Sequence, residues 1–294
     1  MIERISGVSD EAGQSLSSQM KAHQRLGWKY IELRNIMGKP VDTLTGKEAV
    51  AVANQLSTAG LQVNCLASRI GNWQRTVDFD MDTEQCELER LIEFSQLTGN
   101  RYIRIMSYLN SGYGEKEWRD RSITRIHKLV EMAEKGGVIL VHENCSGWAG
   151  VNADNTQYLL QSISSPALKL LLDLGNGLAY KNKPSDFLEQ CFDSIVHVHI
   201  KDGIVKEGGH VRYTYPGQGK ASLSHQLKTL MKKGYQGLFS IEPHIEMIVH
   251  EGANQLSYSD MSERYIRYGE IALDLLKELQ STVSNTHRTC EVVG

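Results

Sequence analysis

Glu143, Asp173, His199 and Glu242 are the residues from which chemistry can be read first. Each ends a short hydrophobic run, over 138–143 (VILVHE), 168–173 (LKLLLD), 194–199 (SIVHVH) and 238–242 (LFSIE). Each run then gives way within a few residues to Gly, Asn, Lys or Pro. Three carboxylates and one imidazole are donors for a divalent cation. An oxygen-rich set with one nitrogen favours Mn²⁺ or Mg²⁺ and is compatible with Co²⁺ or Zn²⁺. One acid at a strand end is ordinarily a helix cap or an ion-pair partner, and one strand histidine is ordinarily a hydrogen-bonded core residue. Four of them on separate strands, all at carboxyl ends, point to a shared metal site.

For the four to meet, their strands must run parallel and end around one mouth. The sequence supplies such a frame, because a helical stretch, a glycine and a strand recur along the chain. Strands are predicted over 5–9, 30–33, 61–67 and 102–106 and over the four runs above. Helices are predicted over 16–26, 47–57, 84–97, 118–134, 156–163, 185–191, 223–231 and 265–279. Short strands alternating with longer amphipathic helices specify βα units and a parallel sheet. Eight units close a ring better than they fill an open sheet, and no strand leads into a GxGxxG loop. The reading is therefore an α/β fold, a (β/α)8 TIM barrel, as a single domain over 1–280. The last stretch, 281–294, loses periodicity and is expected to be a peripheral tail.

Alternation along each strand assigns an interior face. It comprises Ile139, Val141 and Glu143; Leu171 and Asp173; Ile195, His197 and His199; and Leu238, Ser240 and Glu242, with His142 turned toward the helices. Charges at the rim above apolar or small residues are what a barrel with a site on top requires, since a charge inside must be paired or ligated.

Composition narrows the partners. Hydrophobic residues make up 40% of the 294, enough for a sizeable core. A formal charge of −3 shows no basic bias, which argues against nucleic acid and anionic membrane as partners. Five cysteines without a CxxC pair suit a reducing compartment. With no cationic–apolar leader and no apolar run of the ~20 residues that span a bilayer, a cytoplasmic location is expected.

Several residues near the four are candidates to face a substrate. Asn176 follows Asp173 by three positions and could reach a hydroxyl, or simply turn the chain in an Asn-Gly pair. Lys201 follows the His199 strand and either orients ligands or forms an exposed pair with Asp202. His210 and Arg212 are candidates for carboxylate or phosphate contacts. Glu32 ends the second strand at the same mouth, and His197 lies one layer below His199, as core or as support for it. Pro216-Gly217-Gln218-Gly219 reads more as a structural turn than as an anion loop. No Lys/Arg cluster along the chain points to a phosphoryl group.

These pieces resemble a known family. His-Glu-Asn (142–144), Leu-Asp-x-x-Asn (172–176), Val-His-Ile-Lys-Asp (198–202), Pro-Gly-Gln-Gly (216–219) and Ser-Ile-Glu-Pro-His (240–244) are similar to motifs of the xylose-isomerase-like barrels of sugar isomerases and epimerases. Val-Ser-Asp-Glu (8–11), residues 26–34 (LGWKYIELR) and 66–71 (LASRIG) resemble its bacterial sugar phosphate isomerase/epimerase group. The resemblance implies that Glu143, Asp173, His199 and Glu242 hold a divalent metal, Mn²⁺ favoured, and that Glu143 and Glu242 double as an acid/base pair on a small carbohydrate. It also departs. Asn176 stands where the ketose epimerases have His, no Arg follows closely on the His199 motif, and Arg69 replaces an expected proline. Sugar isomerisation, sugar epimerisation and an inosose-type dehydration all remain open, as do a non-catalytic binding barrel and a nuclease on the same scaffold. Such barrels often form dimers or tetramers, and nothing in the sequence fixes a homodimer or homotetramer.

Overall fold

The apolar runs become strands because helices cover one face and the barrel interior the other, so both faces are buried and the runs read as near-continuous hydrophobic segments. The computed structural model describes residues 2–245 and 258–291. Its barrel strands are β1 (Ile5–Gly7), β2 (Tyr30–Leu33), β3 (Gln62–Ala67), β4 (Tyr102–Ser107), β5 (Ile139–Gly147), β6 (Leu168–Asp173), β7 (Ile195–Ile200) and β8 (Leu238–Ile241). All pair in parallel, each with its sequence neighbour, and β8 pairs with β1. A bridge between Val8 and Glu32 joins β1 to β2 and completes the ring of a single α/β TIM barrel.

The longer helices are α1 (Leu16–Arg25), α2 (Gly46–Thr58), α3 (Met81–Thr98), α4 (Glu115–Gly136), α5 (Ala153–Ile163), α6 (Pro184–Gln190), α7 (Leu223–Lys232) and α8 (Tyr258–Glu291). Capping sets their starts. Thr45 and Glu48 form a reciprocal capping box on α2, Asp80 accepts from Thr83 N–H on α3, and Asn152 accepts from Asn155 N–H on α5. Gly137 ends α4 at φ 72°, a conformation a side chain would resist. Helices α3 and α4 begin three residues earlier than periodicity indicates; the first turn of α4 is polar, and that of α3 has Met81 alone as an apolar residue. Helix α8 runs on past Ser281 to Glu291, and 292–294 lie outside the described residues. No helix among the described residues is long and apolar enough to cross a membrane.

The interior is layered. Cys65, Val141 and Leu171 form an apolar floor flanked by Tyr102, Ile139 and Val196. Above it Asn64 bridges Ser6 and Ser240 by hydrogen bonds of 3.1 Å each. One assignment of the interior face is corrected. Ile195 packs outward with Leu170, Leu172 and Val198, and Val196 joins the floor instead. The cause is a register shift: Leu170 pairs with Ile195 but Leu171 pairs with His197, so alternation holds only from His197 onward. The stretch after β7 contains an antiparallel hairpin, Asp202–Val205 against Val211–Thr214.

Candidate metal centre

Asp173 on β6 and His199 on β7 are buried at strand carboxyl ends and Glu242 follows β8 directly, whereas β5 runs on to Gly147 and Glu143 is buried at its last pair with β6 rather than at the strand's end. One ligand atom from each lies within 4.8 Å of all the others. Thus the four residues separated by up to 99 positions in sequence do meet. Local chemistry fixes each of them. Asn144 locks β5 to β6 by donating to Asp173 O at 2.9 Å and accepting from Asp173 N–H at 2.6 Å. The N–H groups of Gly175 and Asn176 both donate to Asp173 Oδ1 at 2.7 Å, which leaves Oδ2 directed at the cage. Asn176 Nδ2 donates to Glu143 Oε1 at 2.9 Å, and Arg104 Nη1 lies 3.2 Å from Glu143 Oε2.

His199 is set from behind. Glu32 accepts from His197 Nε2 at 2.7 Å and from His199 Nε2 at 3.0 Å. A proton on His199 Nε2 leaves the Nδ1 lone pair facing Asp173 and Glu242, the arrangement of a carboxylate–histidine–metal relay. Burial alone would raise the Glu32 carboxyl, but the two imidazoles outweigh it and hold it well below its usual value. Burial likewise opposes charge on His199, yet Glu32 and Glu242 raise it well above normal. A divalent ion in the cage would reverse that by taking the Nδ1 lone pair.

Glu242 carries the most partners. Its Oε1 accepts from Arg34 Nη1 at 3.0 Å and its Oε2 from Lys201 Nζ at 2.5 Å. Arg34 also holds Asp10 and Glu11, at 3.1 and 3.2 Å. Burial works against the Glu242 charge, but Lys201 and His244 keep its carboxyl well below the usual range. Burial raises Asp173 to about 6 despite the nearby Lys201 ammonium.

The donor set fits a divalent ion. Glu143 Oε2, Asp173 Oδ2 and His199 Nδ1 are buried and make no hydrogen bond. Arg104 and Lys201 lie within ion-pair range of the first two, at 3.2 and 2.9 Å, but buried polar atoms rarely go without a hydrogen bond, and one cation among these three would engage them together. Two more groups of three could in principle ligate. In one, Glu32 already bonds to both His197 and His199; in the other, Glu11, Glu242 and His244, the Arg34 guanidinium is already present.

A cavity of about 990 Å³ opens above the cage, lined by Glu143, Asn176, Lys201, His210, Arg212 and Glu242 among others. Glu32 and His197 are fully buried beneath it, placed to support His199. His210 and Arg212 sit on the hairpin over the mouth and are exposed. The Pro216–Gly219 turn binds its own neighbour: the Asp202 carboxylate accepts from the N–H groups of Gly203, Gly217, Gly219 and Ala221.

Sequence reasoning missed Arg34, Arg104, Arg69 and Trp73, which also line the cavity. The signal for two of them was present, because Arg34 lies two residues beyond inward-facing Glu32 and Arg104 two beyond inward-facing Tyr102. Arg34, Arg69, Arg104, Lys201 and Arg212, from separate stretches of the chain, therefore line a space in which no cluster was visible along the sequence. Arg34, Arg69, Arg104 and Lys201 contact carboxylates. A separate groove of about 750 Å³ along the start of α4 holds none of these residues.

Comparison with known proteins places this geometry. The chain is 30% identical over 169 residues to an inosose dehydratase of Bacillus licheniformis, covering 52% of this chain and 55% of that one. It is 24% identical over 125 residues to a fructoselysine 3-epimerase of Escherichia coli O157:H7, covering 42% and 44%. The chain thus spans about half the length of these curated relatives. The crystal structure of the IolI protein with a bound zinc atom superposes with a TM-score of 0.77 at 17% identity, over 94% of this chain and 99% of that one. The profile of the xylose isomerase-like TIM barrel family matches residues 20–259. The chain belongs to that family.

Proposed function

We propose that the protein is a divalent-metal-dependent isomerase or epimerase of a sugar or sugar phosphate, with Glu143 and Glu242 as its acid/base pair. The observation that carries this reading is the convergence of Glu143, Asp173, His199 and Glu242, with three buried donor atoms among them that make no hydrogen bond. Mn²⁺ is the favoured occupant on the three-oxygen, one-nitrogen set. A bound ion would supply Lewis-acid stabilisation of the charge that develops on a substrate carbonyl oxygen as the neighbouring C–H proton leaves.

The side chains do the proton work. Glu242 is held ionised by Lys201, Arg34 and His244, so it rests as the base. Glu143, three strands away around the rim, is oriented by Asn176. Carboxylates so placed flank a substrate in the cavity, one to remove a proton and one to return it. Return to the opposite face of the same carbon inverts it; return to the adjacent carbon moves the carbonyl. Asn176, Lys201, His210 and Arg212 are the proposed substrate contacts, with the Arg212 guanidinium at the mouth suited to a phosphoryl group. The likeness to an inosose dehydratase favours a second reading, in which loss of a β-hydroxyl follows the same proton abstraction.

Proton NMR in D₂O tests this. The Mn²⁺-loaded protein is mixed with a panel of keto- and aldo-sugars, free and phosphorylated, and with inososes. Isomerisation or epimerisation exchanges one substrate C–H for C–D; dehydration yields an unsaturated or dicarbonyl product. No exchange and no product across the panel would count against both readings.

A further inference from the structure

Lys201 stands between two of the proposed ligands, whereas Arg34 and Arg104 each approach one. Its Nζ is 2.5 Å from Glu242 Oε2 and 2.9 Å from Asp173 Oδ2. The same two oxygens face His199 Nδ1, at 3.5 and 3.8 Å. The ammonium therefore occupies the two carboxylate oxygens that a divalent ion held by Asp173, His199 and Glu242 would need. A second cation on the same two oxygens would be repelled strongly, since like charges so close in a buried site repel.

We propose that Lys201 is a resident counter-cation that competes with the divalent ion for Asp173 and Glu242 and withdraws into the cavity when the ion enters. The inference rests on the metal reading above. In the metal-free protein the ammonium prevents buried carboxylates from standing unpaired, which would otherwise be destabilising. The backbone at Lys201 cannot move with it. A Cβ on Gly175 would lie 2.6 Å from Lys201 O and 2.9 Å from Lys201 Cβ, so the β6 loop is packed directly against it. Asp202, the next residue, is bound by four backbone N–H groups. What remains free is the flexible four-carbon side chain. Its exit is toward the ring of Tyr213, which lines the cavity with its centroid 5.9 Å from Nζ, within cation–π reach. There the ammonium becomes a hydrogen-bond donor facing the substrate, so metal loading and substrate recognition share one side chain.

The test compares chelator-stripped full-length wild type, Lys201→Met and Lys201→Arg by calorimetric titration with Mn²⁺. Removing the competitor is expected to tighten Mn²⁺ binding by at least about tenfold in Lys201→Met, while Lys201→Arg binds no more tightly than wild type. Equal or weaker binding by Lys201→Met overturns the proposal and leaves the metal site standing. No binding by wild type or either variant overturns both. A structure of the Mn²⁺-loaded wild type gives a check that needs no variant. Nζ is expected beyond about 4 Å from Glu242 Oε2, outside ion-pair range, and an intact contact beside the bound ion overturns the proposal.

Discussion

Replacing Glu32 with Gln should weaken divalent-ion binding by about 10- to 100-fold although Glu32 is not itself a ligand. The change is nearly isosteric, so packing around this fully buried side chain is preserved. What changes is hydrogen-bond logic. The carboxylate accepts from His197 Nε2 at 2.7 Å and from His199 Nε2 at 3.0 Å. A glutamine offers one accepting oxygen and one donating amide, so only one imidazole can keep its proton on Nε2. If the amide faces His199, that ring must accept at Nε2 and carry its proton on Nδ1, the atom directed at Asp173 and Glu242. A protonated Nδ1 cannot ligate. The expected loss corresponds to about 1.4–2.7 kcal/mol of binding free energy. Calorimetric titration of stripped wild type and Glu32→Gln with Mn²⁺ measures it, with a thermal melt to confirm folding. A folded variant whose affinity stays within about a factor of two of wild type would refute the reasoning.

Three further outcomes follow from the same geometry. Glu143→Gln and Glu242→Gln should each lower turnover by at least ~10²-fold, the low end for acid–base catalysis, and near-normal steady-state rates in both would remove them from the mechanism. Gly175→Ala should destabilise the fold by roughly 1–3 kcal/mol, because its Cβ meets the Lys201 backbone, as read from urea midpoints. His23 is buried, its Nδ1 2.7 Å from Tyr30 O and its Nε2 2.8 Å from Tyr265 Oη, and burial lowers it from 6.5 to about 4. A base so depressed stabilises the fold above its unfolded value, and that stability fades as pH falls from about 6.5 toward 4, by up to about 1.4 kcal/mol per unit. Denaturation at pH 7 and 5 should show a shallower loss in His23→Phe than in wild type; equal losses would contradict the assignment.

The parts of this fold that were legible in the sequence are those governed by short-range pattern. Strand runs, helical periodicity and terminating glycines located all eight βα units, and the strand-end acids and His199 marked the mouth. Less legible was whatever depends on pairing between strands. The shift at Leu170/Leu171 sends Ile195 outward and Val196 inward, and nothing in the local alternation of SIVHVH records it. A second shift, between Ile31 and Glu32, pairs Val63 with Ile31 and Cys65 with Glu32, which leaves Asn64 free to bridge Ser6 and Ser240. The basic lining was hidden for a different reason. Arg34, Arg69, Arg104, Lys201 and Arg212 lie on five separate stretches of chain, so only closure of the ring makes them neighbours around one cavity. Asp202 shows how a plausible anion loop resolves: its own carboxylate takes the N–H groups that a ligand would need.

The account turns on one cation held jointly by residues 143, 173, 199 and 242. Diffraction from crystals soaked in Mn²⁺, recorded with anomalous scattering, tests this most directly. The predicted result is one strong peak per chain within coordinating distance of Glu143, Asp173, His199 and Glu242, absent in an Asp173→Ala crystal treated alike. A soaked wild-type crystal with no peak there, or with its peak on a different set of side chains, would contradict it.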